Sequence, residues 1–295
     1  MSLTYIFYGG NGTSPVDSGL PRVGVIYGVS GNGDLLWYRY AGNGESDRSG
    51  RRGWNANSGN PIGNGWQSFI HILGCGDGVI LGVRQDGDLL WYKYDGDGAS
   101  DRSGGLGWHP NSGNPIGNGW QGFRDVFVTP QEGPASSSRL TIYAVAQNGD
   151  LLWYSYHGNG ESDRSGRTGW DPNSGNPIGN GWRNFRHLHG SGGAIFGVEG
   201  NGDLLWYSYH GNGESDRSGR TGWDPNSGNP IGNSWQNFRA VFGGANDSGG
   251  FGQVIYAVTQ NGDLLWYRYD GHGSRDPSGS SGWRPNSGNV IGNGW

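Results

Sequence analysis

The sequence predicts an all-β protein, built as five four-stranded antiparallel units closed into a ring. Three observations predict it: a fivefold repeat, strict tryptophan spacing inside each repeat, and no helical periodicity anywhere. The phrase Asn-Gly-Asp-Leu-Leu-Trp-Tyr occupies residues 32–38 and returns at 86–92, 148–154, 201–207 and 261–267, with Asp-Gly replacing Asn-Gly once. The Asp of each copy (Asp34, Asp88, Asp150, Asp203, Asp263) is followed by a Trp 20 residues later and by another 32 residues later. All 15 tryptophans are used this way, three per copy, so the repeat accounts for the whole chain. Such repetition overrides any domain count taken from a length of 295 residues.

Each element follows from local pattern. Three residues after the second spaced Trp comes an apolar first strand, at 69–73, 123–128, 185–189 and 238–242. A second strand, 79–83 or 142–146, leads into the Asn-Gly or Asp-Gly pair, which is the favoured type I′ hairpin signal. The third strand is 35–40 and its equivalents. Leu36, Tyr38 and Tyr40 point one way and Leu35 and Trp37 the other, so both faces are apolar and each sheet lies between two others. The fourth strand falls within 54–66, short and broken by Gly and Pro, as an outer edge strand can be. Length variation is confined to loops at 9–23, 129–140 and 243–253. Five such units, each needing cover on both faces, close as a five-bladed β-propeller with blades at about 1–66, 67–120, 121–182, 183–235 and 236–295. An open solenoid would leave an aromatic face bare at each end. Aligning residues 3–7 with the first strands places the start of the chain where Trp295 ends it, so closure is expected to rest on side-chain packing between blades one and five.

Composition narrows function. Net charge is −5, and Lys93 is the one lysine, so a phosphate backbone is a poor partner and nucleic acid is excluded. A lone Cys75 rules out an internal disulfide framework and reads as a small buried residue. No signal peptide or apolar span of about 20 residues is visible, so no membrane insertion is expected. The chain reads as a monomer, cytoplasmic as written or secreted by a route not visible in the sequence.

The unit Trp-x11-Trp, followed by an aromatic-rich strand, an apolar-Tyr-Ala-Val strand, a turn and Leu-Trp-Tyr, resembles the repeat of the tachylectin-type lectins. The Ile-Gly-Asn-Gly-Trp phrase at 62–66, 116–120, 178–182 and 291–295 is the part most similar to that family. The resemblance implies a five-bladed propeller binding N-acetylglucosamine and N-acetylgalactosamine, one sugar per blade, on glycans that end in them. The chain departs from the family in a longer loop at 42–53 and in its Asn-Ser-Gly-Asn insert.

A pyranose needs a flat apolar wall for its CH face and amides or carboxylates for its hydroxyls. The loop 42–50 and the following 54–60 gather those groups. The candidates are Asp47, Trp54 and Asn57, repeated as Asp101, Trp108 and Asn111, as Asp163, Trp170 and Asn173, as Asp216, Trp223 and Asn226, and as Asp276, Trp283 and Asn286. The Asp accepts from two hydroxyls, the Trp stacks, and the Asn bonds a hydroxyl or acetamido group. The competing readings are a core role for Trp54 and turn-forming backbone bonds for Asn57 and Asn60. Arg48 is expected to pair with a neighbouring acid; its blade-five counterpart is Pro277. Trp37 is expected in the core.

No catalytic constellation, metal site or cofactor is expected. Residues 95–101 carry alternate acids like a calcium loop but lack the central Gly and terminal Glu. Residues 162–170 resemble the Asp-box turns of sialidases with altered spacing, and the unrepeated Glu132 and Glu199 have no partners. His187 and His189 are read as lying on opposite strand faces. The alternatives to a lectin are therefore a protein-interaction propeller and, less favoured, a sialidase-like hydrolase.

Overall fold

The computed structural model describes residues 3–11, 24–129, 139–246 and 252–295. Most of the variable loops at 9–23, 129–140 and 243–253, and Glu132 with them, lie outside those residues. Five four-stranded antiparallel sheets follow one another in chain order. The first holds β1 (Leu3–Asn11), β2 (Gly24–Ser30), β3 (Leu35–Tyr40) and β4 (Asn60–Gly63). The second holds β5 (Phe69–Gly76), β6 (Val79–Arg84), β7 (Leu89–Lys93) and β8 (Asn114–Gly117). The third holds β9 (Asp125–Val128), β10 (Leu140–Val145), β11 (Leu151–Tyr156) and β12 (Asn176–Gly179). The fourth holds β13 (His187–Ser191), β14 (Ala194–Val198), β15 (Leu204–Ser208) and β16 (Asn229–Gly232). The fifth holds β17 (Ala240–Asn246), β18 (Gln253–Val258), β19 (Asp263–Tyr269) and β20 (Asn289–Asn293). The inner strands β1, β5, β9, β13 and β17 each pack on the next, and β17 packs back on β1, which closes a five-bladed β-propeller.

Packing at the axis is close enough to require glycine. A Cβ on Gly74 would stand 1.4 Å from Tyr8 O, and one on Gly243 would stand 1.7 Å from Gly190 O. Apolar residues instead collect between blades. Each of five core clusters draws on two neighbouring sheets; one unites Tyr40 and Leu36 of the first blade with Trp266 and Trp295 of the fifth. A buried Trp hides about 200 Å², or roughly 5 kcal/mol of transfer free energy at most. The apolar double face of the third strand is therefore the glue of the ring.

Two local features differ from the sequence reading. The Asn-Gly pairs do not form type I′ turns, in which both central residues have positive φ. Only the glycine does: Gly33 has φ 83° and Gly202 has φ 99°, while no Asn among the described residues has positive φ. Gly33 N–H donates to Ser30 O, and Ser30 N–H to Asp34 O, both at 2.9 Å, closing a three-residue loop. That is a turn followed by a left-handed glycine, another common hairpin connection. The additional loop residue, the first of the three, is a glutamine at 85, 147 and 260, which carries no turn signature of its own. Short 3-10 turns also intervene before four inner strands, at Trp66–Ser68, Trp120–Gly122, Trp182–Asn184 and Trp235–Asn237.

Candidate functional site

The long loop between the third and fourth strands reaches across to the preceding blade. Its root is fixed by sterics: Gly213, with φ 75°, lies so close to the Trp153 ring that a Cβ would come within 2.0 Å of it. Its middle is fixed by the main chain, because Asp216 N–H donates to Pro177 O of the third blade at 2.8 Å. The junction of the fifth and first blades repeats the pattern, with Asp47 N–H donating to Val290 O at 2.8 Å. Closure therefore does not rest on side-chain packing alone.

The Asp at the centre of each loop holds its own loop together. Asp47 Oδ1 accepts from the Ser49 N–H and hydroxyl, and its Oδ2 accepts from the N–H groups of Arg51 and Arg52. The Ser49 hydroxyl and the Arg52 N–H lead in holding its carboxyl at about 2. Asp101, Asp163, Asp216 and Asp276 make equivalent bonds and are likewise held below the usual carboxylate range. A carboxylate offers about four lone-pair sites, and here four donors from the loop occupy them. Each of these five Asp residues, expected to accept sugar hydroxyls, is bonded by its own loop in this way.

The Asn of each triad is also engaged, across the blade junction. Asn57 Nδ2 donates to Asp97 O at 3.0 Å, and Asn173 to Asn212 O at 2.9 Å. Asn111, Asn226 and Asn286 do the same to Asn159, His272 and Asn43. A second rung runs beside it, as in Asn176 Nδ2 to Gly213 O at 2.9 Å. These amides, expected as sugar ligands, stitch each blade to the loop of the next through their Nδ2 groups.

The Trp of each triad lies elsewhere, on the wall of a cleft. Trp223 is half-buried, and its Nε1–H donates to Ile178 O of the preceding blade at 3.0 Å. Its ring faces Trp182 at 5.6 Å and 28°, while Tyr207 contacts Trp182 at 4.7 Å and meets Trp223 edge-on at 6.1 Å. Phe185 completes the aromatic group, 5.5 Å from Trp182. Together with Gly179, Asn180, Ser218 and Arg220 they line a cleft of about 460 Å³. The next junction has a cleft of about 450 Å³, lined by Trp235, Phe238, Tyr267 and Trp283 among others. Neither cleft is lined by its triad's Asp or Asn.

The same aromatic set stands at the other junctions. Trp66 lies 5.8 Å from Trp108 and 4.8 Å from Tyr92; Trp120 lies 5.7 Å from Trp170 and 4.6 Å from Tyr154. Trp295 lies 5.5 Å from Trp54 and 4.5 Å from Tyr38. Burial raises the phenols of Tyr38, Tyr92 and Tyr207, and pushes those of Tyr154 and Tyr267 up to about 12. They stay protonated, and so can donate a hydrogen bond, throughout the physiological range. The Tyr and the last Trp of each repeat, which line the two described clefts, are not among the residues singled out from sequence. The available signal was their invariant spacing, which equally describes core.

Four junctions carry an ion pair between the loop Arg and the repeat's Asp: Arg48–Asp263, Arg102–Asp34, Arg164–Asp88 and Arg217–Asp150, at 2.5–3.1 Å. His187 and His189, two residues apart, share one face of β13 rather than opposing faces. His189 is buried against Phe196, and that burial drops its pKa to about 3. No group of three His, Cys, Asp or Glu suited to a metal ion occurs among the described residues. No helix among them is long and apolar enough to cross a membrane.

A closed ring of blades thus repeats one aromatic set at every junction, with a polar-rimmed cleft beside it at two of them. The tachylectin family model matches residues 28–295, so the chain belongs to the tachylectin family and is a carbohydrate-binding lectin by that membership. Among solved structures it is similar to the six-bladed lectin of Aleuria aurantia, at 13% identity and TM-score 0.45, over 98% of this chain and 96% of that one. It is also similar to AofleA from Arthrobotrys oligospora, at 10% identity and TM-score 0.40, over 90% of this chain and 69% of that one. Yeast RCC1 (Prp20) bound to Kap60 is similar at 11% identity and TM-score 0.40, over 88% of this chain and 58% of that one. At such identities the likeness concerns the fold alone. No curated protein sequence matches the chain.

Proposed function

We propose that the protein is a multivalent lectin with one sugar cleft at each of its five blade junctions, and that N-acetylated hexosamines are its ligands. The observation that carries this reading is the fivefold Trp–Tyr–Trp set, which lines a cleft at two junctions. Its two Trp rings offer flat walls to a pyranose CH face, and the Tyr hydroxyl donates from the floor. Asn180 supports the polar side: it lines the cleft, with its Nδ2 donating to Arg217 O at 3.1 Å. A volume near 460 Å³ suits a mono- or disaccharide. The acetamido preference follows from the family resemblance.

Shallow single sites of this kind bind at about 0.1–1 mM, or roughly −4 to −5.5 kcal/mol. Five of them on one molecule raise avidity on a glycan-covered surface by about 10²–10⁴. Calorimetric titration with N-acetylglucosamine should give a stoichiometry near five, and Trp223→Ala should remove one equivalent while leaving four. No binding of any N-acetylated sugar at millimolar concentration would sink the proposal.

One observation favours the hydrolase alternative at a single junction. Glu199 and Asp224 both line the cleft between blades three and four, and paired carboxylates are what glycoside hydrolysis uses. The equivalent residues elsewhere are not both acidic, whereas the aromatic set recurs at all five junctions. Turnover of a fluorogenic glycoside, lost in Glu199→Gln, would establish the enzyme.

A further inference from the structure

The five junctions share their aromatic walls but differ at three positions that rim the described cleft between blades three and four. In the cleft between blades three and four these are Glu199, Arg220 and Asp224. By the repeat register, the cleft between blades one and two carries Arg84, Gly105 and His109 there. The others carry Ala146, Arg167 and Asp171, then Thr259, Ser280 and Arg284, and finally Ser30, Arg51 and Asn55. We propose that the cleft between the first and second blades takes an anionic pyranose, one bearing a carboxylate or a sulfate, with Arg84 as the residue that selects it. The inference rests on the reading of the clefts as sugar sites and adds a ligand class to one of them.

Three observations point there. Arg84 is exposed, and its charge acts on Asp88 as well as on the cleft floor. The Tyr92 phenol on the cleft floor feels its positive charge, just as the Tyr207 phenol feels the negative charge of Glu199. The carboxylate its charge reaches, Asp88, is already held by Arg164 at 2.5 Å and Asn118 at 2.7 Å. Arg284, the cation at the cleft between blades four and five, is paired with Asp270 instead. Arg51 occupies the rim position of Arg167 and Arg220, so it does not set its cleft apart from the one holding Glu199.

The same cleft has a different lip. Gly105 stands where Arg220 lines the cleft between blades three and four, which removes a long side chain from the rim. Beside it Leu106 is 61% exposed, the sole large exposed hydrophobic among the described residues. Its counterparts are Arg52, Thr168, Thr221 and Ser281. A cation, a widened rim and an apolar lip suit a charged sugar that carries an extra substituent.

The test uses the full chain and three probes at low ionic strength: N-acetylglucosamine, its 6-sulfate, and N-acetylneuraminic acid. In the wild type one equivalent of an anionic probe should bind about tenfold tighter than the neutral sugar, and the excess should fade as salt screens it over about 10 Å at 0.1 M. Whichever anionic probe shows the excess identifies sulfate or carboxylate as the source. Arg84→Glu should abolish that class of site while neutral sugar still binds at the other junctions, which also reports a folded protein. An excess that survives Arg84→Glu, or no excess in a wild type that binds the neutral sugar, overturns the inference. If no probe binds the wild type, the sugar-cleft reading itself fails, and this inference with it.

Discussion

The junction of blades three and four and that of blades four and five differ at their rims and in two structural contacts, yet agree in the geometry of their aromatic set. The first has Arg217 paired with Asp150 at 2.7 Å and a left-handed Gly181 before its Trp. The second has Pro277 at the Arg position, and Ser234 adopts φ 70° where Gly181 stands in the first. Asp203, left without an arginine, accepts from Asn201 Nδ2 at 3.0 Å. Yet the two Trp pairs stand at 5.6 and 5.7 Å with interplanar angles of 28° and 29°. Both Trp indoles donate to an Ile carbonyl at 3.0 Å. The bridging Asn bonds are 2.9 Å at both. Cleft geometry is thus set by ring packing, glycine close approach and amide-to-carbonyl bonds, while the ion pair and the glycine before the Trp are dispensable.

The largest effect should come from the close approach the two junctions share. Gly213→Ala and Gly273→Ala would each drive a Cβ to 2.0 or 2.1 Å from a buried Trp ring, at positive φ. Each should lower stability by about 2–4 kcal/mol in chemical denaturation. Clearly unequal losses would break the claim that the two junctions are built alike. Next in size, Ser234→Gly should stabilise the protein by about 1 kcal/mol by relieving a left-handed non-glycine residue; a loss of stability would show that the serine side chain has a role of its own.

Pro277→Arg sharpens the comparison further by restoring the missing ion pair. The matching Arg217 side chain is 61% exposed, so solvent screening limits the gain to about 0.5 kcal/mol. A gain of several kcal/mol would return the ion pairs to the centre of the account. The smallest effect is local. The folded pKa of Asp47 is depressed to about 2 by its loop donors. The stabilisation is therefore present above the ordinary carboxylate pKa near 4 and is lost as pH falls through about 2. A carboxyl NMR titration of Asp47 should show the depressed midpoint, and Asp47→Asn should leave the loop order insensitive to acid in that window. A midpoint near 4 would mean the loop bonds do not hold in solution.

Much of this molecule was legible in advance because it repeats. The Asp-to-Trp spacings gave five units, and the double apolar face of residues 35–40 required neighbours on both sides. Those two facts are enough for a closed ring. The site was read less well for a physical reason. Asp47 and Asn57 are polar residues near an aromatic, and sequence cannot tell a carboxylate that caps its own loop from one that faces ligand. Tyr207 and Trp182 posed the reverse problem: a Tyr on a strand and a Trp at fixed spacing look like core until the junction shows them lining an open cleft. Arg48 was the polar residue whose partner could be anticipated, since a charged side chain beside a repeated Asp has few other options.

The claim that everything else depends on is that five matched clefts lie at the blade junctions. Soaking crystals of the full chain in N-acetylglucosamine tests it most directly. The account predicts sugar density against the Trp–Tyr–Trp set at every junction, including Trp295–Tyr38–Trp54. Density at the Asp47-type loops with the aromatic clefts empty, or in one junction alone, would contradict it.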